Sequence, residues 1–473
     1  MIGVPDYLQS WIIAQRWFGG KTRSPRFEIV GGYGLADPTG SAVIRVYFIL
    51  DRAENPLLYQ VPLTERKLPL VTSTGADDTA LVATTVTDDG ARYIYDGPRD
   101  PAFAEALLRL ILDDGDARET DGHEADNSGG PVVAHGHHTP SPDILSVRSS
   151  RVLGGEQSNT SIIFETLDAA GAASAPIICK LFRAIHDGPN PDVVLTEVLG
   201  AHGSTVAPRS IGHIRAEWPD SGRPHGFASG HLAFAEEFLP GVEDAWRVAL
   251  NAAETAEDFT IRAHALGART AEMHATLAVA MPSRTTTPAD IATIVEGMRV
   301  RFNAAVAEVP ELESYRHALE EVYRLAAISP WPSLQRVHGD FHLGQVLAVP
   351  DRGWVILDFE GEPLRPMNER SLPDVPLRDV AGMLRSFDYV AGSYALTHDG
   401  ESVSEWASAC RNAFLDGYID RSGRDLREHR QLLDAFEIDK ALYEAVYEAR
   451  NRPDWLPIPT HAIGRLVARA TLA

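Results

Sequence analysis

Cysteine is nearly absent: Cys179 and Cys410 are the two in 473 residues, far apart along the chain. That count excludes a disulfide framework and a zinc site of the usual cysteine spacing. Cys179 lies inside an apolar run and reads as a small buried hydrophobe. Basic residues are also scarce, 43 Lys and Arg against 66 Asp and Glu, for a net charge of -23. A body this negative repels nucleic acid and anionic headgroups, so neither is an expected partner. It repels polyphosphate at long range too, so a nucleotide site here must rely on local cations and a bound metal. No uninterrupted apolar run approaches about 18 residues. Met1–Gln15 lacks a basic segment followed by an apolar core and a small-residue cleavage site. The expectation is a reduced, cytoplasmic protein with no membrane partner.

What is present is ordinary globular composition, 44% apolar and 23% charged, on a chain long enough for two or three domains. The first 90 residues read as a small α+β unit. Leu8, Trp11 and Ile12 stand at helical spacing, with Trp17 in the core of that unit, and Ser41–Leu50 and Leu57–Leu63 are rich in strand formers. Arg92–Tyr95 predicts a strand and Phe103–Leu112 a helix behind Pro101. Residues 113–143 are rich in Asp, Gly, His, Ser and Pro and predict a mobile surface loop; its His135, His137 and His138 are read as solvated rather than metal-binding. Strands are then expected at Leu145–Leu153, Ser161–Leu167, Pro176–Phe182 and His231–Phe238, with a helix at Pro191–Ala201. After Pro240-Gly241 amphipathic helices are predicted over 261–279, 289–308, 311–327, 377–392, 403–421 and 430–451. No internal repeat is visible. The reading is α+β and bilobal: a cap subdomain over 1–90, a nucleotide-binding lobe over 91–240, and a helical lobe over 241–473.

The most informative stretch is Val337-His338-Gly339-Asp340-Phe341-His342-Leu343-Gly344-Gln345, followed by Leu357-Asp358-Phe359-Glu360-Gly361-Glu362. Two apolar runs, Val346–Val349 and Trp354–Leu357, flank the turn Pro350-Asp351-Arg352-Gly353 and predict a hairpin. The hairpin brings Asp340, Gln345 and Asp358 to one end. Phosphoryl transfer needs a carboxylate to take the acceptor proton and oxygen ligands for Mg²⁺ across the phosphates. Asp340 fits as catalytic base, with Gln345 and Asp358 as metal ligands and Glu360 as a further candidate. An Asp turn and a strand-end cap are the bland alternative; the joint occurrence around one hairpin speaks against it. The pattern resembles the kinase signature, in the branch that writes His-Gly-Asp in its catalytic loop. Gln345 departs from the more usual Asn, and Glu360 replaces the Gly of Asp-Phe-Gly.

A kinase also needs a phosphate-binding turn, a lysine and an adenine connector. Gly155, Gln157, Ser158, Asn159 and Thr160 lie in a turn between strands, where small residues and side-chain donors can meet phosphates. Lys180 stands in an apolar strand and needs an anionic partner, expected to be Glu197 on the next helix. Glu237 and Phe238 lie in the connector.

These motifs, together with Gln15-Arg16-Trp17-Phe18-Gly19-Gly20-Lys21, Arg378-Asp379-Val380-Ala381-Gly382 and Lys440-Ala441-Leu442-Tyr443-Glu444 through Trp455, resemble the actinobacterial maltokinases, of the aminoglycoside-phosphotransferase-like superfamily, over nearly the whole chain. The resemblance implies a bilobal kinase-like fold with an N-terminal cap and ATP- and Mg²⁺-dependent conversion of maltose to maltose 1-phosphate. It further implies a role in α-glucan (glycogen) synthesis from trehalose, with trehalose synthase as partner. Glu360 and Glu362 favour the maltose branch over glucosamine kinases with the same cap. On a helical wheel Lys440, Glu444 and Tyr447 share a polar face opposite Ile438, Leu442 and Ala445. Those residue types suit a sugar, with His342 as a further acceptor contact; the alternative is a solvated face with Lys440 and Glu444 paired. Two other functions are carried: an amino-sugar or aminoglycoside kinase, and a non-catalytic pseudokinase scaffold for trehalose synthase.

Overall fold

The computed structural model describes residues 2–472 apart from 22–23, 54–55, 71–79, 119–131, 141–145, 155–157, 363–364, 366 and 399–400. Two compact units form: Met1–Val194 with Arg209–Pro240, and Leu195–Pro208 with Gly241–Ala473.

The first unit carries two antiparallel sheets. One runs in the spatial order Ile2–Gly3, Phe27–Leu35, Val43–Asp51, Leu57–Arg66, Gly90–Asp96, Leu81–Thr87, with Ala184–Ile185 added against Leu57–Arg66. Helix Asp6–Ala14 closes it through Leu8 and Ile12, which join Trp17, Phe18, Tyr59 and Val61 in a core of their own. Trp17 is core, as expected, with its ring against Trp11 and Tyr59. The strands Phe27–Leu35 and Leu81–Thr87 were not expected: Gly31, Gly32 and Gly34 dilute the first, and the second has no fully buried residue.

The second sheet runs Asp116–Arg118, Val133–His138, Ser210–Pro219, Phe227–Glu237, Ile177–Phe182, Asn159–Leu167, Ser146–Val152. Its first two strands correct the reading of a mobile loop at 116–118 and 133–138; of the rest of that stretch, 119–131 and 141–143 lie outside the described residues. His135 and His137 sit in a strand paired with Ser210–Pro219, and His135 Nδ1 is 2.5 Å from Asp116 Oδ1. Polar composition misled because one face of this strand is open to water, while Ala134 and Gly136 are buried against helix Pro101–Leu112. Asp100 caps that helix by accepting from Ala102 N–H.

The second unit is helical around one large core. Helices occupy Thr260–Ala280, Pro288–Glu308, Arg316–Ile328, Leu377–Thr397, Ser404–Ser422 and Arg430–Asn451, each close to its predicted span. Among the described residues three were missed, Ala245–Glu254, the one-turn Met367–Arg370 and Pro457–Leu472. The first is alanine-rich and buries Ala245, Ala249, Ala252 and Ala253, which give a weak apolar signal. The hairpin Val346–Val349 with Gly353–Ile356 is antiparallel, as expected, and Glu243–Asp244 pairs on its outer edge. Its turn uses Asp351 at φ 61 and Gly353 at φ 78. Among the described residues no helix is long and apolar enough to cross a membrane.

Candidate active site

The 338–345 loop of the second unit is fixed before any ligand is considered. Asp379, in the first turn of helix Leu377–Thr397, accepts from the backbone N–H of His338 (2.8 Å) and of Gly339 (2.9 Å). His274 Nε2 lies 2.9 Å from the same carboxylate and its Nδ1 3.0 Å from the Tyr418 hydroxyl. Burial would raise the Asp379 carboxyl, but the His274 hydrogen bond and the donors around it hold it below the ordinary value. The same helix presses on the loop: a Cβ on Gly382 would stand 2.5 Å from the Phe341 carbonyl oxygen, so only glycine fits. Asp379 is the organising residue that sequence reasoning left without a role. A carboxylate in a helix's first turn reads as a solvated end charge, and nothing in the local sequence marks this one as buried.

His338 ties the two motifs together. Its Nε2 donates to the Leu357 carbonyl (2.8 Å), and its Nδ1 accepts from Asp340 N–H (3.3 Å), so one tautomer satisfies both bonds. Its ring is clamped between Phe341 and Phe359. The loops touch at Gly339 (φ 88) and Gly361, where a Cβ on the first would meet the second's Cα at 3.3 Å. Gln345 donates through Nε2 to Asp358 Oδ2 at 3.0 Å, which leaves its amide oxygen unspent by that bond. Asp358 takes φ 61, the left-handed region that non-glycine residues avoid and that functional sites tolerate. Arg370 reports the convergence. Burial lowers its guanidinium, and the charges of Glu360, Asp340 and Asp358 all oppose that fall. All three carboxylates thus act electrostatically on one buried guanidinium. The donor set of Asp358, Glu360 and the Gln345 amide oxygen is all hard oxygen, which suits Mg²⁺.

Asp340 is not alone. Lys440 Nζ donates to its Oδ1 at 2.8 Å and to Glu362 Oε1 at 3.1 Å, and lies 4.6 Å from the centre of the Tyr443 ring. Burial alone would raise the Asp340 carboxyl; Lys440, then His342, more than offset it and hold it at about 2. Burial would lower the Lys440 ammonium, but Asp340 and Glu362 push it up. The pair begins an alternating series of charges: Glu362 to Arg365 (3.2 Å), Arg365 to Asp374 (3.4 Å), Asp374 to Arg378 (2.6 Å), Arg378 to Asp439 (3.4 Å) and Asp439 to Arg301 (2.6 Å). Glu362, Tyr443, Arg301 and Arg378, which line the pocket at Asp340, also line a groove of about 800 Å³ beside helices Pro288–Glu308 and Arg430–Asn451.

The predicted free polar face of the last long helix is corrected here. Lys440 is spent on Asp340 and Glu362. Glu444 Oε2 accepts from Arg385 at 2.8 and 3.0 Å, and burial raises its carboxyl in spite of that guanidinium. The alternative, an i,i+4 bond between the two on a solvated face, is not formed. Tyr447 is the exposed member, under the Arg452 guanidinium. The helix is enclosed on most sides, with Asp434, Glu437, Asp439 and Glu448 buried and paired. His342 accepts from Gly344 N–H through Nδ1 (3.0 Å), and burial lowers its imidazole, so it is a neutral loop staple.

In the first unit, Lys180 Nζ is 2.7 Å from Asp192 Oδ2 and 3.5 Å from Glu236 Oε1. In this unit Asp192, at the start of helix Pro191–Ala201, is an anionic partner of Lys180 that was not expected; Glu197, the expected one, belongs to the other unit. Thr160 is corrected from turn donor to strand residue: it is buried, and its hydroxyl accepts from Arg183 Nε at 2.8 Å while Arg183 pairs with Asp96. Asn159 opens the same strand, beside Ser158; Gly155 and Gln157 lie outside the described residues. The connector N–H groups are already used, Glu237 to the Arg209 carbonyl and Phe238 to the Pro176 carbonyl, both at 2.9 Å.

Known proteins resemble this arrangement. Residues 11–100 match the family described as the maltokinase N-terminal cap domain. A glucosamine kinase of Streptacidiphilus jiangxiensis is 32% identical over 287 residues, 55% of this chain, and the matched stretch spans 65% of that relative's length. One of Mycolicibacterium smegmatis is 27% identical over 412 residues, 82% of this chain and 93% of the relative. Among solved structures, a glucosamine kinase superposes with a TM-score of 0.64 at 21% identity, covering 96% of this chain and 97% of its own. Another, in complex with glucosamine, ADP and inorganic phosphate, gives 0.62 at 20% identity, covering 98% and 100%. The chain thus has the α+β fold of the solved glucosamine kinases and carries a maltokinase-type cap at residues 11–100.

Proposed function

We propose that this chain is a sugar kinase that moves the γ-phosphoryl group of ATP to a sugar hydroxyl, and that the sugar is maltose, giving maltose 1-phosphate. The observation that carries the reading is the Asp340 loop: a carboxylate with its backbone pinned through Asp379 and His338, one oxygen bonded to Lys440 and the other left to accept the acceptor's proton. A base held low is ionised at neutral pH and oriented, as a positioned acceptor hydroxyl requires. The acceptor oxygen attacks the γ-phosphorus, the bond to the β-bridging oxygen breaks, and the proton goes to Asp340. Mg²⁺, when bound, neutralises charge on the phosphates; Asp358, Glu360 and the Gln345 amide oxygen are the residues that would hold it. Lys180, kept in its strand by Asp192 and Glu236, is the cation for the phosphates. Ser158, Asn159 and the turn before them, and the carbonyls of Glu237 and Phe238, are assigned to the nucleotide.

Maltose is preferred over glucosamine because the resemblance ties Glu360 and Glu362 to the maltose branch, and because the groove that Glu362 and Tyr443 share with the Asp340 pocket has room for more than one ring. Tyr447 and His342 stay as candidate sugar contacts. Glucosamine is the competing acceptor, since it is the substrate named for the relatives. A place in α-glucan synthesis beside trehalose synthase, in the cytoplasm, follows from the maltose reading. The test is ATP consumption by the full chain with Mg²⁺ and either maltose or glucosamine. Asp340→Asn is expected to lower kcat by about 10²–10⁴-fold with the fold retained; wild-type turnover in that variant would remove the base, and turnover of glucosamine alone would remove maltose.

A further inference from the structure

Two carboxylates and an aromatic face are the chemistry that recognises an ammonium group. Asp340, Glu362 and the Tyr443 ring form such a cage, and it is already filled: Lys440 Nζ lies 2.8 Å from the first, 3.1 Å from the second and 4.6 Å from the ring centre. The cage is mostly buried, with 15%, 16% and 8% of the Lys440, Asp340 and Glu362 side chains exposed. It also lies where an acceptor must come, because one of its carboxylates is the base and its Glu362 and Tyr443 line the adjoining groove.

We propose that Lys440 is a specificity-determining residue, an internal ammonium that takes the place an amino sugar's ammonium would occupy and so restricts the acceptor to uncharged polyols. The inference rests on the reading of Asp340 as base. An incoming ammonium would meet Lys440 as a like charge, with both anionic partners already neutralised. A neutral sugar pays no such cost and still finds the second Asp340 oxygen. Lys440 also acts through the base, as a positioning residue, since it fixes one carboxylate oxygen. Removing its charge while keeping its bulk leaves Asp340 without its bonded cation and Glu362 with Arg365 alone, and an acceptor that brings its own ammonium then supplies the missing charge.

The experiment uses the full chain with ATP and Mg²⁺, and compares kcat/KM for maltose and glucosamine in wild type, Lys440→Met, Lys440→Gln and Lys440→Arg. The expectation is a maltose preference in wild type and in Lys440→Arg. In Lys440→Met maltose turnover falls about tenfold or more, mainly in kcat, and the maltose-to-glucosamine ratio narrows by about tenfold. Lys440→Gln serves if the methionine variant fails to fold, and glucosamine is expected to raise its melting temperature but not that of wild type. A ratio unchanged in folded variants, or a wild type that prefers glucosamine with Lys440 in place, overturns the proposal. Full activity in Asp340→Asn would instead overturn the base assignment beneath it.

Discussion

Lys180 and Lys440 are two versions of one arrangement, in different units of the molecule. Each is a mostly buried ammonium held by two carboxylates, Asp192 and Glu236 for the first, Asp340 and Glu362 for the second. The difference lies in what holds the carboxylates. Those of Lys180 come from a helix start and a neighbouring strand, elements of the frame itself. Those of Lys440 come from the two loops that meet at Gly339 and Gly361. One lysine is anchored by regular structure. The other is itself the anchor, pinning loops that would otherwise carry two like charges side by side.

The largest effect is expected from removing the frame lysine. Lys180→Met leaves Asp192 and Glu236 facing each other at 1% and 5% side-chain exposure, and is expected to cost about 3 kcal/mol in urea unfolding of the full chain. Activity should fall with it through the nucleotide, as a raised KM for ATP. A variant as stable as wild type would show that the frame does not depend on this cation.

A smaller effect is expected from the loop's other anchor. Asp379→Asn keeps the shape but turns two charge-assisted bonds to the His338 and Gly339 N–H groups into neutral ones. The expected loss is about 2 kcal/mol, with kcat falling more than the acceptor KM changes. Equal losses in kcat and stability in Lys440→Met and Asp379→Asn would mean the two anchors do one job; a kcat loss confined to the first would separate charge from position.

An effect of similar size is a matter of pH. Asp340 is held at about 2 against an ordinary value near 3.9, so its folded form is the more acidic. Such a carboxylate contributes stability that is complete above about pH 4 and is lost as pH falls towards 2. The contribution is about 2 kcal/mol at neutral pH, and in Lys440→Met it should vanish, so the acid unfolding midpoint of that variant moves up. An unchanged midpoint would mean that Lys440 does not set the charge of the base.

The sequence was legible where periodicity and spacing carry the message. Six helices of the second unit, the 346–356 hairpin, and the meeting of Gln345 with Asp358 at its end were all in view, because a 3.6-residue repeat and a Pro-Asp-Arg-Gly turn report on local geometry alone. Lys180 was legible for the same reason: a cation among Ile177, Cys179 and Leu181 in a strand must be buried and paired. Lys440 was not, because a helix face of Lys, Glu and Tyr looks the same whether it meets water or other helices. The Val133–His138 strand was hidden by its polar open face, and helix Ala245–Glu254 by its alanines.

By itself, then, the chain's order of residues determined which segments become helix and strand and which carboxylates lie at the ends of one hairpin, since those follow from interactions between near neighbours. Tertiary structure alone decided the partners: that Asp379 holds the loop, that Asp192 takes Lys180, and that Lys440 reaches across a hundred residues to the base. A buried charge takes whichever opposite charge the packing brings within about 3 Å, and no local pattern records that meeting.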